Sequence, residues 1–281
     1  MMLILTTISA ATIICTQPAE DPQNSEPTQV ETNPAQDKVD RWMKYFYINA
    51  GGEQAPEMAE LFLNEAIKNL EDQSHVRTLL NVFLSEVGRT NPVLLDDWTQ
   101  AAKTLDRDTK LQFIYAIWYA DHKNCKQRIR EITDTLPEDD ARREQLSTLH
   151  EREPPNLMEM QTTDGSVLDY WWVAFMATGN TEYVARVMSA LPPRDTTYDD
   201  YDASFMKIAV AGSAIWSIES FAYEHPRILK YIRDTRAEEL GPWPVLDEII
   251  EGVEDRLEES PPQAPTDPTL SNTREQKADQ P

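Results

Sequence analysis

Apolar residues recur at spacings of three and four from about residue 39 to residue 257, with polar residues between them. This spacing follows one face of an α-helix, on which residues i, i+3, i+4 and i+7 are neighbours. Glycine and proline mark the ends of the periodic segments, and Gly179 in Ala-Thr-Gly-Asn is typical of a left-handed helix C-terminus. The pattern predicts about a dozen helices joined by short turns, and therefore an all-α fold.

One helical motif occurs twice. Residues 111–137 read LQFIYAIWYADHKNCKQRIREITDTLP, and residues 168–192 read LDYWWVAFMATGNTEYVARVMSALP. Aromatic and small positions align in the first halves, aliphatic positions align in the second halves, and both segments end in Leu-Pro. A repeated helical hairpin predicts a stack of hairpins, either tetratricopeptide-like or an irregular α-solenoid or bundle.

Three segments stand out within this pattern. Residues 203–223 are apolar or small around the whole helical circumference, which predicts the most buried helix. Residues 138–151 predict a charged helix. Pro154 and Pro155 follow it, and residues 156–165 predict the longest internal loop.

The helical pattern favours a single domain over residues 37–259. Residues 16–36 and 260–281 are rich in Pro, Glu, Gln and Thr and have little to bury, which predicts a disordered acidic linker and a disordered tail. Residues 1–15, MMLILTTISAATIIC, are almost wholly apolar or small. They are too short for a membrane span of about 20 residues and match the hydrophobic region of a signal peptide.

Cys15 follows this apolar segment and precedes a polar tether, as the acylated cysteine of a bacterial lipoprotein does. We therefore expect an exported protein, either periplasmic or tethered to the cell envelope through a lipid on Cys15. If residues 1–15 are not a signal, the protein is cytoplasmic. Membrane contact is expected only through this signal or lipid anchor.

The chain has a formal net charge of −23. A nucleic-acid-binding protein replaces phosphate counterions with Lys and Arg, so this charge argues against nucleic acid as a partner. It also argues against docking on anionic lipid. A basic protein remains a possible partner for an acidic surface.

No motif for catalysis or metal binding is recognisable. The four histidines, His75, His122, His150 and His225, lack metal-ligand spacing to one another. The chain also lacks a phosphate-binding glycine loop, a dinucleotide fingerprint and a G-x-S-x-G nucleophile motif. The sequence thus predicts no catalytic residue, no metal ligand and no cofactor.

The loop at residues 156–165 is the best candidate for a binding surface. It carries Glu159 and Asp164 and precedes Tyr170 and Trp171. Carboxylates beside aromatic rings suit a binding surface, or a hydrolase cleft that uses two carboxylates. Trp171 points either outward, as part of this surface, or inward beneath the loop.

The stretches WWVAFMATGNTEYVARVMSALP and AIWSIESFAYEHPRILKYI resemble an uncharacterised family of predicted exported, α-helical bacterial proteins. The matching positions are Trp172, Phe175, Ala177, Thr178, Gly179, Trp216, Ser217, Ala222, His225 and Pro226. The similarity covers roughly residues 61–232. It implies a helical fold and export, and the family brings no known activity.

Three functions fit these features. The first is a non-enzymatic scaffold of the cell envelope that binds a protein or peptide in a groove of its helices. The second is an acidic immunity-type protein that neutralises a basic toxin. The third is a hydrolase that uses carboxylates near residues 156–165. The repeated hairpin, the tether-like N-terminus and the lack of catalytic motifs favour the first.

Overall fold

The computed structural model describes residues 34–49, 51–67, 73–120, 123–238 and 242–262. Within these residues the chain forms 13 α-helices and no strand, so the prediction of an all-α fold is confirmed. The predicted signal at residues 1–15, Cys15, residues 16–33 of the linker and the tail from residue 263 lie outside the described residues.

The helices are numbered here in chain order. The first seven are α1 (Pro34–Lys44), α2 (Phe46–Asn49), α3 (Ala55–Leu61), α4 (Gln73–Thr90), α5 (Pro92–Ala102), α6 (Arg107–Tyr119) and α7 (Cys125–Thr133). The others are α8 (Arg143–Ser147), α9 (Ser166–Thr178), α10 (Thr181–Met188), α11 (Phe205–Glu224), α12 (Pro226–Glu238) and α13 (Pro244–Glu259). A π-helical turn at Phe62–Ala66 extends α3, and 3-10 turns lie at Gly52–Gln54, Leu149–Glu151 and Leu157–Glu159.

Two helix boundaries differ from the prediction. α1 begins at Pro34, within the segment predicted as a disordered linker, and proline suits the first turn of a helix. The predicted helix at 138–151 is reduced to α8 and a 3-10 turn. Asp140 accounts for this, because it accepts the backbone N–H of Arg142 at 2.9 Å and holds a turn there.

The turn of the second predicted hairpin has the expected local chemistry. Gly179 ends α9 in the left-handed conformation, with φ 66° and ψ 13°, as the sequence predicts. Asn180 then caps α10 by accepting the N–H of Glu182 at 3.0 Å. The turn therefore needs no distant contact to form.

The contacts divide the chain into two compact units, where the sequence pattern favours one domain over 37–259. The first unit includes α1 to α10 and residues 203–214. The second includes residues 192–202 and the described residues from 215 onward.

In the first unit, α4 and α9 form the centre. α4 packs against α6 and α9, and α9 also packs against α1, α2 and α10. Residues 171–177 of α9 are all buried, as expected for a helix that is apolar around its whole circumference. The sequence assigned this central position to residues 203–223 instead. That assignment is wrong, because Phe205, Met206 and Trp216 are 67%, 52% and 44% exposed.

Both predicted repeats form helical hairpins, α6–α7 and α9–α10. The first helix of each hairpin makes its most extensive contacts with α4. α4 therefore separates the two hairpins, and in the described residues they do not stack in the chain order of a solenoid.

The second unit is built on the end of α11 and on α12 and α13. Ile228 and Ile232 of α12 and Leu246 and Ile249 of α13 are buried. Arg236 of α12 also pairs with Asp247 of α13 at 2.5 Å. Among the described residues, no helix is both long enough and apolar enough to cross a bilayer.

Candidate functional site

A groove of about 460 Å³ lies between α4 and α6 in the first unit, within the roughly 300–1,000 Å³ typical of ligand pockets. We call it the α4–α6 groove. Its lining residues are Ser74, Arg77, Thr78 and Asn81 of α4, Gln112, Tyr115, Trp118 and Tyr119 of α6, and Arg142, which precedes α8.

Helical spacing explains why these residues face the groove together. The residues of α4 follow the pattern i, i+3, i+4 and i+7, and Gln112, Tyr115 and Trp118 of α6 are three apart, so each set lies on one helix face. The other side of α4 is anchored by Leu80 and Phe83, both 0% exposed. Apolar packing of α4 against α6 therefore leaves these polar and aromatic faces to form the groove.

Three aromatic side chains form one wall of the groove. The rings of Tyr115 and Trp118 are 6.5 Å apart, and those of Trp118 and Tyr119 are 4.9 Å apart, both edge to face. The indole N–H of Trp118 donates to the carbonyl of Arg152 at 3.0 Å, which fixes the ring. All three side chains are half-buried, so they offer apolar surface to a ligand.

Tyr119 keeps its proton at neutral pH. Burial raises the pKa of its phenol, and the neighbouring Tyr170 and Tyr115 raise it further. The aromatic wall is therefore uncharged and retains a hydroxyl that can donate or accept a hydrogen bond.

Two side-chain amides contribute buried acceptors. Gln112 is 6% exposed, and its Oε1 has no hydrogen-bond partner among the described residues. The Oδ1 of Asn81 is likewise buried without a partner in that part of the chain. An unpaired buried acceptor costs about 1–3 kcal/mol, so a donor in the groove would be favoured once either amide turned its oxygen toward it.

The groove is cationic although the protein is strongly acidic. Its lining includes Arg77 and Arg142 and no Asp or Glu, while the chain as a whole carries −23. Nη2 of Arg77 lies 3.4 Å from Oδ2 of Asp108, whose side chain is 50% exposed. The guanidinium of Arg142 makes no close ion pair within the described residues, although its charge lowers the pKa of Asp140. The groove can therefore attract an anionic group.

A second polar cluster lies where α9 packs against α4, close to the groove, since Tyr170 is near enough to Tyr119 to raise its pKa. Nε2 of His75 is 3.1 Å from Oδ2 of Asp169, and the rings of His75 and Tyr170 are 5.8 Å apart. Burial raises the pKa of Asp169, the hydrogen bond to His75 opposes this shift, and the charge of Asp164 adds to it. This cluster joins residues that are far apart in the sequence.

The predicted loop residues have different positions. Asp164 is exposed and accepts hydrogen bonds from the hydroxyl and the N–H of Ser166, which lower its pKa. Glu159 is exposed and accepts from Nδ2 of Asn156 at 2.8 Å. Asp164 and Tyr170 lie close enough to His75 to interact with it, whereas Glu159 bonds within its own turn.

Trp171 lies inside the protein. It is 0% exposed, and its indole N–H donates to the carbonyl of Leu157 at 2.8 Å. The guanidinium of Arg186 covers the ring at 4.8 Å. The inward alternative is therefore correct: Trp171 packs beneath the loop and adds nothing to an exposed surface.

The sequence did not predict the α4–α6 groove as a site. One signal was available, because Trp118 and Tyr119 are adjacent on a helix and cannot both face the core. Arg142 carries no such signal, because only tertiary packing places it beside α4 and α6.

The described residues contain no group of three or more His, Cys, Asp and Glu that could hold a metal ion. Cys125 is half-buried and forms no disulfide within the described part of the chain, and His122 lies outside that part.

No protein-family model, no curated protein and no solved structure in our comparisons matches this chain. This result is consistent with the resemblance to an uncharacterised family and brings no activity to the protein.

Proposed function

We propose that this protein is a non-enzymatic binding protein that holds a segment of a protein or peptide partner in the α4–α6 groove. The observation that carries the proposal is the groove itself, which combines an aromatic wall with the unpaired amide acceptors of Asn81 and Gln112.

The chemistry of a peptide matches these surfaces. A peptide presents backbone N–H donors at regular intervals, which suit acceptors such as the Oε1 of Gln112. Half-buried Tyr and Trp side chains provide rigid contact surface, and such residues are enriched in protein interfaces.

The contacts of the loop carboxylates favour binding over hydrolysis. Glu159 accepts from Asn156, and Asp164 accepts from Ser166. Bonds of this kind shape turns, so they give both carboxylates a structural role.

Selection from two libraries of displayed random peptides, one with free N-termini and one with free C-termini, tests the proposal. We expect the wild-type protein to enrich peptides that bind Tyr115→Ala at least tenfold more weakly, because loss of an interface aromatic costs roughly 2 kcal/mol. Tyr198→Ala is the matched control, since Tyr198 is 36% exposed in the second unit, outside the groove.

Unfolding curves of both variants show whether the Tyr115→Ala protein is still folded. Enriched peptides that bind folded Tyr115→Ala as tightly as wild type would exclude the groove as their binding site.

We also propose that the protein is exported and tethered to the cell envelope through Cys15. The support is the apolar segment at residues 1–15 and the polar stretch that follows it. Intact-mass measurement of the protein from cells expressing the full chain tests this. A lipid mass increment on a chain beginning at Cys15 is expected, and an unprocessed chain would contradict export.

A further inference from the structure

The two arginines of the groove indicate one kind of ligand group. A protein with a charge of −23 repels anions over most of its surface, so a groove lined by Arg77 and Arg142 without carboxylates is a local exception. Guanidinium groups pair with carboxylates through two parallel N–H···O bonds, which makes a carboxylate a good ligand for this groove.

Both guanidiniums are available to such a ligand. The 3.4 Å between Nη2 of Arg77 and Asp108 is longer than the roughly 2.7–2.9 Å of a strong charge-assisted hydrogen bond. Asp108 is half exposed, and exposed ion pairs of this kind are weak. Arg142 is exposed and makes no close ion pair in the described part of the chain, and its charge acts on Asp140 only without such a contact.

A carboxylate alone cannot pair with all the polar groups of the groove. It only accepts hydrogen bonds, so it leaves the buried acceptors of Gln112 and Asn81 unpaired. The ligand must also carry N–H donors within a few ångströms of its anionic group, together with apolar surface for Tyr115 and Trp118. The C-terminal residue of a peptide has all three features, because a single Cα joins its carboxylate to its amide N–H.

We infer that the α4–α6 groove recognises the free C-terminus of a peptide. Arg77 and Arg142 bind the terminal carboxylate, Gln112 accepts the last amide N–H, and the aromatic wall packs on the terminal side chain. This inference rests on the proposed function and narrows its ligand to chains with an uncapped end, which is one of the recurring modes of peptide recognition.

Calorimetry with matched probes tests the inference. The probes are N-acetyl-Ala-Ala-Phe as the free acid, the same peptide as its C-terminal amide, N-acetyl-Ala-Asp-Ala amide and inorganic phosphate. We expect the free acid to bind at least tenfold more tightly than either amide, because only the free acid carries the terminal charge. Raising NaCl from about 0.05 to 0.3 M should weaken its binding.

Substitutions of the two arginines test whether they bind the terminal carboxylate. Arg77→Gln and Arg142→Gln should each weaken binding of the free acid about tenfold and leave the weak binding of the C-terminal amide unchanged. Arg130→Gln is the matched control, since Arg130 lies on α7 outside the groove with 81% of its side chain exposed. Thermal unfolding of each variant separates lost binding from lost folding.

Each alternative outcome separates the two proposals. Equal binding of acid and amide, or tight binding of the internal Asp peptide, overturns C-terminal recognition and leaves peptide binding in the groove intact. Displacement of the free acid by phosphate at similar concentrations shows a general anion site and also overturns it. C-terminal recognition is also overturned if the free acid does not bind at a concentration of about 1 mM. Only display selection that yields no groove-dependent peptide removes the proposed function itself.

Discussion

At the scale of single residues, this protein buries several polar groups whose desolvation is only partly compensated. Gln112, which lines the groove, keeps an acceptor that has no partner among the described residues. Asp40 on α1 is half-buried, and burial raises the pKa of its carboxyl from an ordinary value of 3.8 to about 7. Asp37 adds to this shift, and Lys44 opposes it. Because of such groups, the stability of the protein depends on whether individual side chains are protonated or hydrogen-bonded.

Asp40 predicts a specific dependence of stability on pH. Between about pH 4 and pH 7 the folded protein keeps a proton on Asp40 that the unfolded chain releases, so the contribution of Asp40 to the free energy of unfolding falls as pH rises. Asp40→Asn removes this loss of unfolding free energy, because asparagine does not ionise. At pH 8 it should raise the free energy of unfolding by roughly 2–4 kcal/mol, with little change near pH 4.

Urea unfolding at both pH values measures this effect. Asp97→Asn is the control, because it makes the same change of charge at an exposed position. If Asp40→Asn and Asp97→Asn shift stability equally at pH 8, the effect comes from net charge and not from the burial of Asp40.

At the scale of elements, the C-terminal end of α4 connects two other helices. The carboxylate of Glu86 is almost fully buried and accepts the hydroxyl of Tyr183 of α10 at 2.7 Å. Arg89 pairs with Glu86 at 2.8 Å and donates to the carbonyl of Tyr119 of α6 at 2.6 Å. The same helix that forms one side of the groove is thus held to α10 by a buried hydrogen bond and to α6 by an exposed one.

Tyr183→Phe should weaken this connection. Burial raises the pKa of the Tyr183 phenol, so the hydroxyl remains a donor at neutral pH. Its removal leaves one oxygen of a buried carboxylate unpaired and should cost about 1–3 kcal/mol of unfolding free energy.

Tyr198→Phe removes a hydroxyl from an exposed tyrosine and is the control for urea unfolding at pH 7. A Tyr183→Phe protein as stable as this control would show that Glu86 does not depend on Tyr183.

At the scale of the whole molecule, the charge of −23 and the cationic groove act together. A net negative charge repels anions in general, whereas Arg77 and Arg142 place positive charge at the groove. This contrast in charge supports the proposal that the groove binds an anionic group.

The sequence by itself determined the helical class and many of the helix ends. Gly179, Asn180 and Asp106 terminate or cap helices through bonds to residues at most four positions away. The apolar spacing likewise reports a local property, the side of a helix that faces the core. Both signals can be read without knowing which helices pack together in the folded protein. The all-α fold could therefore be predicted from the sequence.

Tertiary structure alone decided which apolar helix became central and where the groove formed. Residues 203–223 and α9 are similarly apolar, yet α9 holds the central position because it finds α1, α2, α4 and α10 as partners. Trp171 is buried by Leu157 and Arg186, residues on other elements. The groove joins α4, α6 and Arg142, and no spacing along the chain encodes that meeting. The physical reason is that a helix forms from local bonds, whereas its partners are chosen by fit between surfaces distant in sequence.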